Sequence, residues 1–177
     1  DVQTLHNHSG LSAGESIRSM KKKPGKRSDN RGTSDVRDDH TKVVIVTSLI
    51  DPEVLARAKA GAADSLWYKD HGDDELMDVI ERTVKGENIF PDSSPNVELK
   101  DMFSEDISPR QIEILRRFVK GMTYDEIAEE LKLSKNGVRW NLDQIVEKGG
   151  FANKHEMLAA VIENKLIVTT LKEMEEA

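Results

Sequence analysis

Residues 121–146 read GMTYDEIAEELKLSKNGVRWNLDQIV, and this stretch decides the fold of the C-terminal part of the chain. Apolar residues recur at helical spacing on both sides of a short break at Lys132-Leu133-Ser134. Thr123, followed three residues later by Glu126, is typical of a capping box, and Ser134 is typical of the N-cap of a second helix. Three residues are too few to connect helices that lie antiparallel, so the pattern predicts the crossing helices of a helix-turn-helix.

Further helices flank this pair. Ser108-Pro109 is typical of an N-cap followed by a proline in the first helical position. Asn153, with Glu156 three residues later, predicts another capping box and a last helix. The sequence therefore predicts an all-α domain of four short helices over residues 106–168, followed by an acidic tail at 169–177.

The helix after Ser134 has one apolar and one polar face. A rotation of about 100° per residue places Val138, Leu142 and Ile145 inside. The side chains that turn outward or flank the outer face are polar, charged or aromatic: Lys135, Asn136, Arg139, Trp140, Asp143 and Gln144. Long polar and cationic side chains are what DNA base edges and phosphates require, so this face favours contact with duplex DNA.

Residues 43–87 alternate between strands and helices. Val43–Val46 and Ser65–Tyr68 are short runs typical of strands. Asp51-Pro52-Glu53 is typical of a helix start, and Asp73–Lys85 has one apolar helical face, made by Leu76, Val79, Ile80 and Val84. The order strand, helix, strand, helix predicts parallel strands and an α/β layer.

The remaining segments are polar. Residues 24–41 are almost without large apolar side chains and are predicted to form a long insertion, and residues 88–105, with two prolines, are predicted to be a linker. A basic block consists of Arg18, Lys21, Lys22, Lys23, Lys26 and Arg27. Such a block is usually a solvated surface, with nucleic-acid binding as the alternative. Arg116, Arg117 and Lys120 are likewise expected on a solvated face.

The chain has 177 residues and a formal net charge of −7, which disfavours nonspecific coating of nucleic acid. Residues 43–104 hold 13 acidic and six basic side chains, so the negative charge lies upstream of the predicted helix-turn-helix. The lack of cysteine excludes disulfides and thiolate metal sites and fits a cytoplasmic setting. The longest mostly apolar run, residues 43–50, is too short to cross a membrane, and no membrane partner is expected.

Five strings carry a resemblance to a known family: Ile107–Gln111, Gly121–Ala128, Leu133-Ser134, Val138-Arg139 and Phe151–Lys154. In this order and spacing they resemble the LuxR-type helix-turn-helix of NarL/FixJ response regulators. The resemblance implies that Lys135, Asn136, Arg139 and Asn141 face DNA, with Lys148 near the backbone. Trp140, which the helical period turns outward beside them, is added to the predicted DNA-binding residues.

Gly137 departs from the family pattern. The family usually has threonine at this position, so the chain lacks a phosphate-contacting hydroxyl there. A glycine inside a helix also costs about 1 kcal/mol relative to alanine. Because Trp140 and Asp143 are unusual on a groove-facing surface as well, the sequence preference of the family does not transfer to this chain.

The upstream half resembles the C-terminal half of a response-regulator receiver, a flavodoxin-like α/β domain. Val43–Ser48 is similar to its fourth strand, Ala60-Gly61-Ala62 to the end of its fourth helix, and Ser65–Asp70 to its fifth strand. The resemblance implies that Thr47 and Lys69 hold the oxygens of a phosphorylated aspartate.

The phosphoacceptor has two candidate positions. In one alignment Asp1 is the acceptor; in the other His6 occupies the position, which implies a phosphorylation-independent relative. Ser12–Met20 is similar to the third receiver helix. The acidic pair that binds magnesium has no counterpart, so Mg²⁺ is expected only for a complete receiver, and residues 1–87 are predicted to be a partial receiver that continues upstream of Asp1.

These features predict a two-component response regulator that binds specific DNA sequences and is controlled by receiver phosphorylation and dimerisation. Its implied partners are duplex DNA, a sensor histidine kinase and a second copy. No catalytic motif is visible, so an enzyme is not expected. The alternatives are region 4 of a sigma factor or an interaction adaptor with a degenerate helix-turn-helix; a metal nuclease around His6-Asn7-His8 lacks the expected ββα frame.

Overall fold

The computed structural model describes residues 10–20, 41–69 and 75–168. They fall into two compact units: unit 1 runs to Asp92 without residues 48–53, and unit 2 comprises residues 48–53 together with the chain from Ser93 onward. Asp1, the predicted phosphoacceptor, and His6, which takes the acceptor position in the competing alignment, lie outside the described residues. So do the basic block beyond Met20, the predicted insertion up to residue 40, and the acidic tail.

Unit 1 is built on a parallel pair of strands. Its elements are helix α1 (Gly10–Met20), strand β1 (Val44–Thr47), helix α2 (Pro52–Arg57; its first two residues are counted with unit 2) with a π-helical turn (Ala58–Ala62), strand β2 (Ser65–Tyr68) and helix α3 (Leu76–Val84). Strands β1 and β2 pair in register, with Val44 opposite Ser65 and Thr47 opposite Tyr68. The carboxyl ends of both strands therefore lie at one edge.

Two glycines of unit 1 have structural roles, one in close packing and one in a turn of the backbone. A Cβ at Gly14 of α1 would lie 2.1 Å from the Ala62 carbonyl oxygen, so a larger residue does not fit there. Gly61 has a φ of 118°, a left-handed conformation that glycine adopts without strain, and it turns the chain at the end of the π-helical segment. The buried apolar residues of this unit are Leu11, Ile45, Val54, Leu55, Ala58, Ala62, Ala63, Leu66, Tyr68 and Val79.

The apolar face predicted for α3 is wrong at one end. Val79 is buried, but Val84 is exposed and Thr83 takes the inner position. The Thr83 hydroxyl bonds to the Val79 carbonyl and to the Ser65 hydroxyl, both at 2.6 Å. Because the hydroxyl makes both of these bonds inside the unit, burying Thr83 costs little free energy. The pattern of apolar residues alone therefore predicts Val84, and not Thr83, on the inner face.

Unit 2 consists of a small hairpin and four helices. Its elements after residue 93 are strand β3 (Glu98–Leu99), strand β4 (Met102–Phe103), a 3₁₀ turn (Ser104–Asp106) and helices α4 (Pro109–Val119), α5 (Tyr124–Leu131), α6 (Lys135–Lys148) and α7 (Lys154–Glu163). The hairpin lies in the range predicted as a linker, and its Leu99 and Met102 are buried. The core that these elements share includes Ile50, Ile107, Ile114, Leu115, Ile127, Val138, Leu142, Ile145, Met157, Val161 and Leu166.

The predicted fold class, an α/β part with parallel strands followed by a four-helix part, is confirmed by these two units. Their boundaries differ from the predicted domains, because residues 48–53 pack with the helical unit. Of the described residues, no helix is long and apolar enough to span a membrane.

Arg116 corrects another prediction, since it is buried rather than solvated. Its two terminal nitrogens donate to the Asp51 carboxylate at 2.8 and 2.7 Å, and its Nε lies 3.1 Å from Glu53. Burial lowers the pKa of Arg116, but the hydrogen bonds and negative charge of Asp51 outweigh it and hold the pKa above its ordinary value. Arg117 is partly buried and donates to Glu130, while Lys120 is exposed as expected.

Candidate nucleic-acid interface

The turn between α5 and α6 sets the orientation of the outward face of α6. Lys132 ends α5 in the left-handed conformation, with a φ of 55°. The Leu133 amide then donates to the Ala128 carbonyl at 2.8 Å, and Ser134 Oγ accepts from the Gly137 amide at 3.0 Å. These bonds end α5 and begin α6 within three residues, as the sequence predicts.

Side-chain caps fix the starts of all four helices of unit 2. Ser108 and Gln111, and likewise Thr123 and Glu126, exchange the reciprocal bonds of a capping box. Asn153 accepts from the amides of His155 and Glu156, but the predicted second half of its box is not made. The Glu156 carboxylate instead accepts from the Ala152 amide and from Lys100.

The outward face of α6 carries an aromatic side chain at its centre. Val138, Leu142 and Ile145 are fully buried on the inner side, which anchors the helix in the unit. Trp140 points to the opposite side and is 61% exposed. Lys135, Asn136 and Arg139 are exposed around it. The fold thus gathers four of the predicted DNA-facing residues on one surface.

The cations of this surface are held in ion pairs. Lys135 Nζ donates to Asp125 at 2.6 Å, and Arg139 Nε lies 3.6 Å from Asp143. The side chains of Lys135, Asp125 and Arg139 are largely solvent-exposed, and that of Asp143 is less than half exposed. Exposed pairs contribute about 0–1 kcal/mol each, so phosphate groups can replace the carboxylates at little cost.

Asp143 connects two cations from different helices. Besides Arg139, it accepts a hydrogen bond from Lys154, the first residue of α7. This bond raises the pKa of Lys154 above its ordinary value, with burial opposing it, and the Lys154 ammonium also lies 6.0 Å from the centre of the Tyr124 ring. Lys154 therefore stays charged at the edge of the outward face, which the sequence analysis did not predict.

Two other predicted contacts lie away from the centre of the face. Asn141 is half-buried, and its amide donates to the Gly137 carbonyl at 2.8 Å. Lys148, at the far end of α6, donates to Asp106 at 2.8 Å. The fold brings Asn136, Arg139 and Trp140 together near the start of α6, whereas Lys148 is the last residue of the helix.

Unit 1 places its two predicted phosphate-binding residues at the same sheet edge. Thr47 ends β1 and is buried, and Lys69 follows the last residue of β2 and is exposed. The Lys69 amide donates to the Thr47 carbonyl at 2.8 Å. The backbones of the two residues are thus bonded neighbours at the carboxyl ends of adjacent parallel strands. Their role in binding a phosphoryl group stays a prediction.

The stability of unit 2 is expected to fall in acid. Bonding of the Thr123 amide to Glu126 lowers the pKa of that carboxyl below its ordinary 4.5, and bonding of Lys100 lowers the pKa of Glu156 in the same way. A carboxyl with a lowered folded-state pKa stabilises the fold above 4.5, and this contribution is lost as the pH falls through the folded value.

Replacing both carboxylates, in the variant Glu126→Gln with Glu156→Gln, should therefore flatten the decline of the free energy of unfolding below pH about 4.5. Urea unfolding at a series of pH values measures it, with the wild type as reference. An unchanged pH dependence in the double variant would contradict the assignment.

The fold and the site define a helix-turn-helix protein with an α/β unit before it. Residues 105–161 match the family model of the bacterial regulatory proteins of the luxR family. The predicted resemblance to NarL/FixJ-type response regulators is confirmed.

Two relatives from Bacillus subtilis (strain 168) match a larger part of the chain. The transcriptional regulatory protein YvfU is 34% identical over 126 residues, 71% of this chain and 61% of its own length. The transcriptional regulatory protein DesR is 27% identical over 137 residues, 76% of this chain and 66% of its own length. The chain thus spans less than two thirds of these relatives. A solved structure of two RcsB dimers bound to two parallel DNAs matches with a TM-score of 0.45 and 17% identity, over 92% of this chain and 72% of that one.

Proposed function

We propose that the protein is a response regulator that binds specific sequences of duplex DNA through α6 and controls transcription. The observation that carries the proposal is the exposed surface of α6 behind a luxR-family turn, with Asn136, Arg139 and Trp140 side by side. The names of the two Bacillus relatives, both transcriptional regulatory proteins, support it.

The electrostatics of unit 2 are compatible with this function despite the net charge of −7. Lys154, whose side chain is partly buried, bonds to Asp143 beside the outward face, while Lys135 and Arg139 lie on it in exposed pairs. Binding exchanges these weak pairs for phosphates and releases the counterions of DNA, which favours association at low salt.

A salt titration of the full chain on random-sequence duplex DNA tests the proposal. The logarithm of the affinity should fall linearly with the logarithm of the salt concentration, with a slope of about −0.9 per phosphate contacted. Fluorescence anisotropy of a labelled duplex provides the measurement. A chain that does not bind at low salt would be an interaction adaptor rather than a DNA-binding regulator.

Replacing Arg139 by alanine is expected to weaken binding to a selected site by about 1–3 kcal/mol if the guanidinium contacts a base. The matched control is Arg110→Ala, which removes an equally charged, exposed side chain from α4. Competition assays with single-base-pair variants of the site distinguish the two possible roles. Relaxed specificity at one position indicates a base contact, and an equal loss on every sequence indicates a phosphate contact.

The remaining parts of the proposal concern control. Phosphorylation by a sensor histidine kinase at Asp1, with Thr47 and Lys69 holding the phosphoryl oxygens, and dimerisation with a second copy are inferred from the resemblance. Two linked recognition helices would bind successive major grooves with a higher effective concentration. A cytoplasmic location and the absence of enzymatic activity stay predictions.

Magnesium enters the proposal only through a complete receiver. Within residues 10–20, 41–69 and 75–168, no three acidic or histidine side chains come together as a metal site. The use of Mg²⁺ in phosphorylation therefore stays a prediction that rests on the family resemblance.

A further inference from the structure

Trp140 stands out on the outward face of α6 because it is a large apolar side chain among polar ones. It is 61% exposed, whereas Val138, Leu142 and Ile145 on the opposite side of the same helix are buried. Trp140 has no role in the core of unit 2 that would explain an indole at this position. Its carbon surface is available for a partner that approaches α6 from outside.

Gly137 lies one turn before Trp140 and leaves the space beside the indole open. Apart from the adjacent residues and the backbone of α6, a Cβ built at Gly137 would meet only Ser134 Oγ, at 3.1 Å. A glycine at such a position permits a close approach of the helix to a ligand. Gly137 and Trp140, two departures from the family pattern, thus form one feature: an exposed apolar side chain next to a helix position that has no side chain.

Three of the polar side chains around this feature are already engaged within unit 2. Lys135 is paired with Asp125, Arg139 with Asp143, and the Asn141 amide with the Gly137 carbonyl. These groups must exchange partners before they can bind a base edge. The indole surface has no hydrogen bond to break, so it can make contact as soon as α6 enters the groove.

The major groove of DNA presents one apolar group, the 5-methyl of thymine. We infer that Trp140 packs against thymine methyl groups and that, with Gly137, it selects A·T base pairs at the centre of each half-site. This inference rests on the proposed function, since it assumes that α6 lies in the major groove. The inference identifies thymine as the base that Trp140, at the centre of the outward face, contacts.

The test replaces thymine by uracil, which removes the methyl group and leaves the pairing edge unchanged. Sites are first selected from a random duplex pool with the full chain, and each thymine is then replaced in turn. Burial of one methyl group contributes about 0.8 kcal/mol, which corresponds to a factor of about four in affinity. One or two thymines in each half-site should show a loss of this size.

The variant Trp140→Ala should lose this sensitivity and bind the thymine and uracil duplexes equally. Trp140→Phe should retain part of it. The control is Phe103→Ala, which removes an aromatic side chain that is 48% exposed on β4 and should leave the sensitivity unchanged. Because Trp140 is 61% exposed, its replacement should leave the fold intact, and Trp140→Phe provides a second comparison that keeps an aromatic ring.

Three results are distinguishable. Loss of affinity on uracil duplexes that depends on Trp140 supports the inference. Sequence-specific binding that is indifferent to uracil overturns it and leaves the proposed function intact, with Trp140 then available to a protein partner. A chain that does not bind duplex DNA overturns both.

Discussion

Replacing Asp51 by alanine is expected to lower the free energy of unfolding of unit 2 by about 3–5 kcal/mol. The Asp51 carboxylate is fully buried and accepts four hydrogen bonds. Two come from Arg116, one from the Glu53 amide and one from the Val168 amide. Removing the carboxylate leaves a buried guanidinium without its main partner and two amides without acceptors.

Hydrogen exchange of the amides in α4 to α7 measures this effect in the full chain, because it reports on unit 2 separately. Asp51→Asn keeps the shape and removes only the charge, so it serves as a milder variant if the alanine variant does not fold. The matched control is Glu53→Gln, since Glu53 contacts the same guanidinium from a partly exposed position and should cost at most about 1 kcal/mol.

A double variant separates the ion pair from the backbone contacts. Asp51→Leu with Arg116→Met removes both charges, and an apolar pair of similar volume is often as stable as a buried ion pair. The Glu53 and Val168 amides still lack acceptors, so the double variant should recover only part of the loss. An Asp51→Ala variant within about 1 kcal/mol of the wild type would show that the buried pair contributes little.

Local features of the fold could be predicted from the sequence because neighbouring residues determine them. The N-caps Ser108, Thr123 and Ser134 each bond to an amide three residues later, so the pattern of residue types is sufficient. The two strands of unit 1 and the inner face of α6 follow from apolar periodicity in the same way.

Contacts between distant residues could not be predicted. Asp51 and Arg116 are 65 residues apart, and in the sequence each has an ordinary local explanation, as a helix start and as a solvated cation. The hairpin Glu98–Phe103 was missed because its strands have two residues each and its turn has Lys100, not glycine or asparagine, at a φ of 61°.

The candidate site shows the same division. The period of α6 places Asn136, Arg139 and Trp140 outside, and the structure has them there. The bond between Asp143 and Lys154 connects two helices, and nothing in the local sequence predicts it. The charge that α6 offers to DNA therefore depends on pairings that become visible only in the folded unit.

Leu142→Ala is expected to lower the free energy of unfolding of unit 2 without changing the surface that binds DNA. Leu142 is fully buried on the inner side of α6, and such a truncation costs about 2–5 kcal/mol because a cavity remains. The outward face keeps all its side chains. Hydrogen exchange should therefore show a large loss of stability, with Leu158→Ala, a partly buried leucine of α7, losing less.

The DNA affinity of the Leu142 variant should depend only on its folded fraction. The apparent Kd equals the intrinsic Kd divided by the fraction that is competent to bind, so it stays near the wild-type value while most molecules remain folded. Arg139→Ala should behave in the opposite way, because its side chain is 68% exposed and stability changes at such sites stay within about 0.5 kcal/mol. The opposite result would be that Leu142→Ala weakens DNA binding while the α6 amides keep their protection from exchange. That result would show that the inner side of α6 affects DNA recognition directly, and it would contradict the separation of a stabilising inner side from a DNA-binding outward face.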